Sequence, residues 1–211
     1  MGHRLSKIYT RTGDQGSTGL GDGSRVPKNS LRVGALGVVD ELSSVIGLLL
    51  AEPVPEPIRE LLTDIQHDLF DLGGELSIPG MTLLQASQVE HLERELDALN
   101  AELNPLKEFI LPGGCRAGAL AHQARAVCRR AERSVVALAA DEVLQEAPRH
   151  YLNRLSDLLF VLARTLNRAA GCGDVLWQKG RNAQAAAGAA PAQSTGADSR
   201  LPDQASAEEQ P

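Results

Sequence analysis

Apolar residues recur along residues 31–170 at the three- and four-residue spacing of helices that bury one face. From about Leu31 to Ala51, the residues Ala35, Val38, Val39, Leu42, Ile46 and Leu49 share a face, and Pro53, Pro55 and Pro57 end the pattern. From about Pro57 to Gly73 the stripe is Ile58, Leu61, Leu62, Ile65, Leu69 and Leu72, with Gly73-Gly74 and Pro79-Gly80 read as breaks. A third helix is expected over about Ser87 to Leu103, with Val89, Leu92, Leu96 and Leu99 inward. Pro105 ends it, and Pro112-Gly113-Gly114 forms a sharp loop. The fourth helix covers about Cys115 to Ala140, with Leu120, Ala124, Val127, Ala131, Val135 and Leu138 as its core face. The fifth covers about Pro148 to Ala170, with Leu152, Leu155, Leu158, Leu159, Leu162 and Leu166 inward. No segment alternates apolar and polar residues long enough to be a core strand. The expected fold is all-α, a five-helix bundle with short connections.

Three stretches fall outside this pattern. Residues 1–30 are rich in Gly, Ser and Thr and form one expected unit, residues 31–182 the bundle and its short closing segment with Trp177. Residues 183–211 lack Ile, Val, Phe, Tyr and Trp and are expected to be a disordered tail, since they cannot bury enough apolar surface to offset ordering entropy.

Composition narrows the class. The chain has 211 residues, 43% hydrophobic and 23% charged, which suits an ordinary globular domain. No unbroken apolar run reaches the roughly 18 residues of a membrane span, and the N-terminus has no apolar stretch after its basic residues. Three cysteines without C-x-x-C spacing argue against a disulfide framework or a zinc knuckle, so a reducing cytoplasm is expected. The net charge of −6 and 3% aromatics speak against a nucleic-acid partner, which needs a positive footprint or stacking platforms. No membrane partner is expected either.

Candidate chemistry concentrates in four places. At about 100° per residue, Arg125, Arg129, Arg133, Glu132 and His122 share one stripe of the fourth helix, with Arg130 away from it. Such a stripe is either a solvated face or an anion site, and arginine's planar fork suits phosphate. On the fifth helix Asn153, Asp157, Phe160 and Arg164 lie opposite the leucine face, where a phenylalanine is either a chance exposure or part of a pocket. On the first helix Asp40 sits among Gly37, Ser44 and Gly47, small residues that allow close approach of another helix. The segment from Tyr9 to Gly21 combines glycines, hydroxyls and Arg11, with Lys28 shortly after. It is either a flexible leader or a phosphate cradle. It is neither a Walker A loop nor a Rossmann turn. Paired E-x-x-H motifs and a G-x-S-x-G elbow are absent, and no protein metal site is expected.

Five motifs in order carry a resemblance: Tyr9-Thr10-Arg11-Thr12-Gly13-Asp14-x-Gly16-x-Thr18, Val39-Asp40-Glu41-Leu42, Phe109-Ile110-Leu111-Pro112-Gly113-Gly114, Ala124 to Arg133, and Tyr151 to Phe160. Together they resemble the trimeric ATP:cob(I)alamin adenosyltransferase family. The resemblance implies a five-helix bundle in a ferritin-like up-down arrangement and a homotrimer binding ATP between subunits. It implies transfer of the 5′-deoxyadenosyl group of ATP to Co(I) of cobalamin or cob(I)yrinic acid a,c-diamide, releasing triphosphate. Carried over, Thr10, Arg11, Thr12, Gly13, Thr18 and Gly19 would form the nucleotide loop, with Lys28 on the phosphates. Arg129, Arg130, Ala131, Glu132, Arg133 and Asn153 would complete the ATP site. Arg125 would pair with Asp40 of the adjacent subunit, and Phe109 would line the corrinoid side. Arg129, Asp40, Arg125 and Phe109 are thus the expected catalytic set. ATP, Mg²⁺ and the corrinoid are the implied ligands. A cob(II)alamin reductase and an adenosylcobalamin-dependent enzyme are the implied protein partners. Ser43 and Arg11 depart from the Asn and Lys common in the family. The remaining alternative is a non-catalytic nucleotide-binding trimer that delivers cobalamin to another enzyme.

Overall fold

Ser30 starts the bundle: its hydroxyl accepts the Val33 N–H and caps helix α1, Leu31–Leu50. The computed structural model describes residues 9–182, so the expected disordered tail lies outside the described residues. The chain divides into two compact units, Met1–Trp177 and Gln178–Pro211, and all five helices belong to the first. They are α1, α2 (Glu56–Ser77), α3 (Ala86–Ala101), α4 (Arg116–Asp141) and α5 (Ala147–Ala169). Cross-helix pairs give their directions. Arg32 meets Glu142, Glu41 meets Arg130 and Glu52 meets Arg116, so α1 and α4 run antiparallel. Cys115 donates to the Leu166 carbonyl and Cys128 to the Leu152 carbonyl, which sets α4 antiparallel to α5. Glu93 meets Arg154 and Glu102 meets Arg168, so α3 runs parallel to α5.

The predicted stripes form the core. Leu42, Ile46, Leu62, Ile65, Leu69 and Leu158 are essentially sealed from solvent. Each such side chain contributes about 1.5–3 kcal/mol of hydrophobic stabilisation. One polar network crosses this core: the Tyr151 hydroxyl donates to Asp68 Oδ2 at 2.8 Å, and Gln88 donates to Asp68 Oδ1 at 2.8 Å. Helix α1 is long and apolar enough by composition to cross a bilayer, with a mean hydropathy of 1.8, although no unbroken apolar run is present. Here its apolar face packs in the bundle core.

The structure departs from the expected pattern in three places. Gly73-Gly74 does not break α2, which continues to Ser77. The extra turn buries Leu76 and lets Glu75 accept the Leu83 and Leu84 N–H groups, and Leu83 packs against Gly74 where a Cβ would crowd it at 3.2 Å. These gains outweigh a glycine penalty of about 1 kcal/mol per residue. The polar face of α5 is mostly covered: Arg164 is buried and Asn153 and Phe160 are half-buried under α3, α4 and the loops around them, and only Asp157 of the four stays exposed. The leader also contains strand structure. Strands β1 (Ser17–Gly19) and β2 (Arg25–Pro27) form an antiparallel hairpin pairing Thr18 with Val26 and Gly19 with Arg25.

Candidate active site

The hairpin gives the nucleotide-loop candidates a fixed shape. Arg25 reaches back to the Thr12 carbonyl at 2.7 Å and to Ser17 Oγ at 2.7 Å, so this cation organises the loop. Thr10 and Thr12 hydroxyls bond each other at 2.9 Å. Arg11 takes a left-handed backbone (φ 60°) with its guanidinium 5.7 Å over the Tyr9 ring. That conformation costs about 1–2 kcal/mol for a residue with a Cβ, and such strain concentrates at binding sites. Gly13 is required by close approach: a Cβ there would stand 3.1 Å from the Ser17 carbonyl and 3.2 Å from Lys28 Nζ. Gly13 and Lys28 thus sit together, with Arg11 two residues before Gly13, and among the described residues neither cation has an ion-pair partner. Thr18 and Gly19 belong to β1, so part of the backbone expected to cradle a ligand is engaged in the ladder. The hairpin docks on α2, where the Gly21 N–H donates to the Ser77 carbonyl at 2.8 Å.

The arginine stripe lies elsewhere on the same chain. No hydrogen bond or ion pair among the described residues joins residues 10–28 to α4. Arg129 and Arg133 are exposed and unpaired with any described acid, whereas Arg130 pairs with Glu41. Glu132 accepts the Asn153 amide at 3.0 Å, holding α4 to α5 beside the arginines. Ala131 is fully buried, so its expected place in the ATP site reduces to packing beneath the stripe. Cys128 is buried as well, and burial pushes its thiol far above the ordinary range, which leaves it inert.

Toward the N-terminal half of α4 the stripe enters a cleft of about 540 Å³ lined by Phe109, Ile110, Pro112, His122, Arg125 and Phe160, among others. Phe109 is 78% exposed. Arg125 is half-buried, and its Nε has no partner. Burial, reinforced by Arg129, pulls the pKa of its guanidinium down, as expected for a cation without a counter-charge. His122 was legible as a stripe residue but had no role. Its ring packs edge-on against Phe160, with centroids 6.1 Å apart, and neither ring nitrogen finds a partner.

Burial lowers the His122 pKa from 6.5, Arg125 adds to the effect and Asp174 opposes it. His122 therefore stays neutral in the fold at pH values where the unfolded chain protonates. Its contribution to stability is present above 6.5 and is lost as pH falls through its folded value. The native chain is expected to lose more stability between pH 7.5 and 5.5 than His122→Leu, by up to about 1.4 kcal/mol per pH unit. Urea midpoints at the two pH values measure this, and parallel losses would contradict it.

Asp40 faces neither of these places. It is exposed on α1 and lines a groove of about 480 Å³ with Val33, Gly37, Ser43, Phe70 and Gly73. Phe70 is 72% exposed there. Within one chain Asp40 makes no hydrogen bond or ion pair with a described residue, Arg125 included. One chain therefore presents three incomplete faces: a loop with Arg11 and Lys28, an apolar groove with Asp40, and a cleft with Arg125 leading to Arg129.

The sequence model described as cobalamin adenosyltransferase matches residues 8–166. The cobalamin adenosyltransferase of Cupriavidus metallidurans is 69% identical over 182 residues, covering 86% of this chain and 99% of that protein. The corrinoid adenosyltransferase of Bacillus subtilis is 49% identical over 181 residues, covering 82% and 93%. Among solved structures, a phenylalanine-to-histidine variant of the PduO-type ATP:corrinoid adenosyltransferase from Lactobacillus reuteri, complexed with cobalamin and ATP, matches with a TM-score of 0.79 at 34% identity. It covers 82% of this chain and 97% of that one. An arginine-to-lysine variant complexed with ATP matches at 0.78 and 35% identity, covering 81% and 100%.

Proposed function

The chain belongs to the cobalamin adenosyltransferase family, and from that premise we propose how its residues divide the work. The activity is ATP:corrinoid adenosyl transfer. The Co(I) lone pair attacks C5′ of ATP, the Co–C bond forms, the C5′–O bond breaks, and triphosphate leaves. Co(I) is itself a strong nucleophile, so no general base is needed. The protein's tasks are alignment of C5′ over cobalt, stabilisation of the departing polyanion and control of what reaches the metal.

Arg129, aided by Arg133, receives the leaving triphosphate, and Lys28, Arg11 and the Thr10 and Thr12 hydroxyls hold the phosphates from the loop. What carries this reading is the clustering of cations without an acid partner among the described residues, Arg125, Arg129 and Arg133 on one stripe of α4 and Arg11 and Lys28 on the loop, whereas Arg32, Arg154 and Arg164 are each paired. No hydrogen bond or ion pair among the described residues joins loop and stripe in one chain, which supports a site completed between copies, with Asp40 of one copy on Arg125 of the next. A homotrimer closes such a head-to-tail contact into a ring. The ring also covers the apolar groove beside Asp40.

Magnesium fits the loop chemically. Thr10, Thr12 and Asp14 offer the hard oxygens it prefers, and among the described residues no three His, Cys, Asp or Glu side chains converge to hold a metal alone. The ion would therefore ride on the triphosphate, where it offsets phosphate charge. The three cysteines are free thiols, and the reducing power that Co(I) demands accords with a cytoplasmic setting served by a cob(II)alamin reductase. An adenosylcobalamin-dependent enzyme would take the product.

Phe109 projects into the cleft as an apolar wall that keeps water and the lower axial ligand from Co(II), which eases its reduction. Phe109→Ala is expected to leave ATP affinity near native. Its activity should fall most when Co(II) must be reduced on the protein, and less when Co(I) is supplied ready-made. Equal losses in both assays would leave Phe109 only a packing role. The activity itself is tested by mixing the protein with ATP, Mg²⁺ and chemically reduced cobalamin. A light-sensitive adenosylcobalamin spectrum with one triphosphate released per Co–C bond is expected. Nucleotide binding without product would favour the delivery alternative.

A further inference from the structure

One wall of the Phe109 cleft, Leu106 to Pro112, has no helix of its own, while His122 and Arg125 of α4 and Phe160 of α5 line the rest; the segment it pairs with has no helix either. Residues 102–115 join α3 to α4, and residues 170–177 follow α5. They pair as a short antiparallel ladder: the Leu111 N–H donates to the Val175 carbonyl at 2.8 Å, the Trp177 N–H to the Phe109 carbonyl at 2.7 Å, and Ile110 bridges Leu176. Such a two-stranded ladder is marginal alone in water, so its position depends on what ties it to the bundle.

Arg164 provides a tie to both segments. It lies on α5, one helical turn beyond Phe160, and is only 6% exposed. Its Nε donates to Asp174 Oδ2 at 2.9 Å, at the start of the closing strand. Its terminal nitrogen donates to the Asn104 carbonyl at 2.8 Å, near the start of the Phe109 loop. The planar fork thus spans two acceptors on different segments, a geometry a lysine ammonium cannot reproduce. Asn167 fixes the other end of the loop, donating to the Gly113 carbonyl and accepting the Cys115 N–H.

We propose that Arg164 is a positioning residue for the corrinoid half of the site. By holding Asn104 and Asp174 on one rigid helix it sets where Phe109 stands in the cleft, and it touches no substrate. This rests on the reading of Phe109 as the corrinoid wall. Breaking the tie should loosen corrinoid binding and leave the nucleotide half alone.

The chain's single tryptophan, Trp177, reports directly on the ladder. Arg164→Met keeps an unbranched apolar stem and removes both bonds. In the full chain it is expected to raise the KM for cob(II)alamin about tenfold, as small misplacements do, with the KM for ATP unchanged. Trp177 emission should shift to the red and become more accessible to iodide. Arg164→Lys should recover part of both effects, since it keeps the charge opposite Asp174. Asp174→Asn, which leaves the helix sequence intact, should shift both readouts the same way by a smaller amount and serves as the test if Arg164→Met does not fold. Folded variants with native corrinoid KM and native Trp177 emission would overturn the proposal, as would equal rises in both KM values. A merely structural role predicts lower stability with no split between substrates. If Phe109→Ala leaves corrinoid binding and reduction unchanged, the premise about the wall fails, whereas the Trp177 response still reports whether Arg164 holds the ladder.

Discussion

Arg129→Ala is expected to lose at least about 2 kcal/mol of transition-state stabilisation, or roughly thirtyfold in kcat/KM. Arg129 is exposed on α4 and makes no ion pair with a described acid, and the neighbouring Glu132 is taken by Asn153, so its charge is available to a ligand. Two further cations of the stripe, Arg125 and Arg133, lie one helical turn to either side. The Arg133 guanidinium donates to the Arg129 carbonyl at 3.0 Å. A polyanionic leaving group meeting this stripe gains charge-assisted hydrogen bonds as negative charge builds on the departing oxygen. Removing one such donor resembles removal of an oxyanion donor in magnitude. The core face of α4, including Ala124, Val127 and Ala131, is untouched by the change, so melting temperature and oligomeric state should stay native. A folded variant with near-native kcat/KM would remove Arg129 from the reaction.

The second large effect concerns Asp40 and Arg125. Arg125 has a buried Nε without a partner, and Asp40 is exposed at the edge of an apolar groove. Neither has a partner within one chain, and the proposed contact between copies would pair them. Breaking a buried pair from one side leaves an uncompensated charge and typically costs about 3–5 kcal/mol, less where water reaches it. Asp40→Asn and Arg125→Ala should therefore each weaken activity and assembly together. The swap of Asp40→Arg with Arg125→Asp should recover part of the loss because the charges are restored in reverse order. Activity and sedimentation of the singles and the swap form a double-mutant cycle. Strictly additive losses would mean that the two residues do not touch.

Much of this architecture was legible because it rests on local periodicity. Every apolar position assigned inward on α2 and α5 is buried, and each helix begins or ends within a few residues of its expected bounds. What escaped depends on partners distant in sequence. Arg32 meets Glu142 across 110 residues, and no spacing rule reveals such a pair. Arg164 looked like part of a polar face by its angle on the helix, yet it is buried because Asp174 and the Asn104 carbonyl satisfy it. The double glycine read as a break persists in α2 because tertiary burial of Leu76 and Glu75 overrides propensity. At the site, residue types and the family resemblance pointed to Phe109, Arg125 and the stripe, and Phe109 and Arg125 line one cleft. Three features came only from coordinates: the hairpin clamped by Arg25, the orphaned His122 ring, and the ladder joining Phe109 to Trp177.

If the loop of one copy and the stripe of its neighbour make one site, as proposed, mixed oligomers reveal it. One variant carries Arg129→Ala; the other carries Thr12→Ala with Lys28→Ala. Each is expected to be severely impaired alone. Co-expressed with different tags and purified through both, they form rings in which every mixed trimer contains one interface with an intact loop facing an intact stripe. About one site in three should then work, so the mixed protein should recover roughly a third of native adenosylation activity. Mixed oligomers that stay as inactive as the parent variants would place both halves of the site in a single chain and contradict the account.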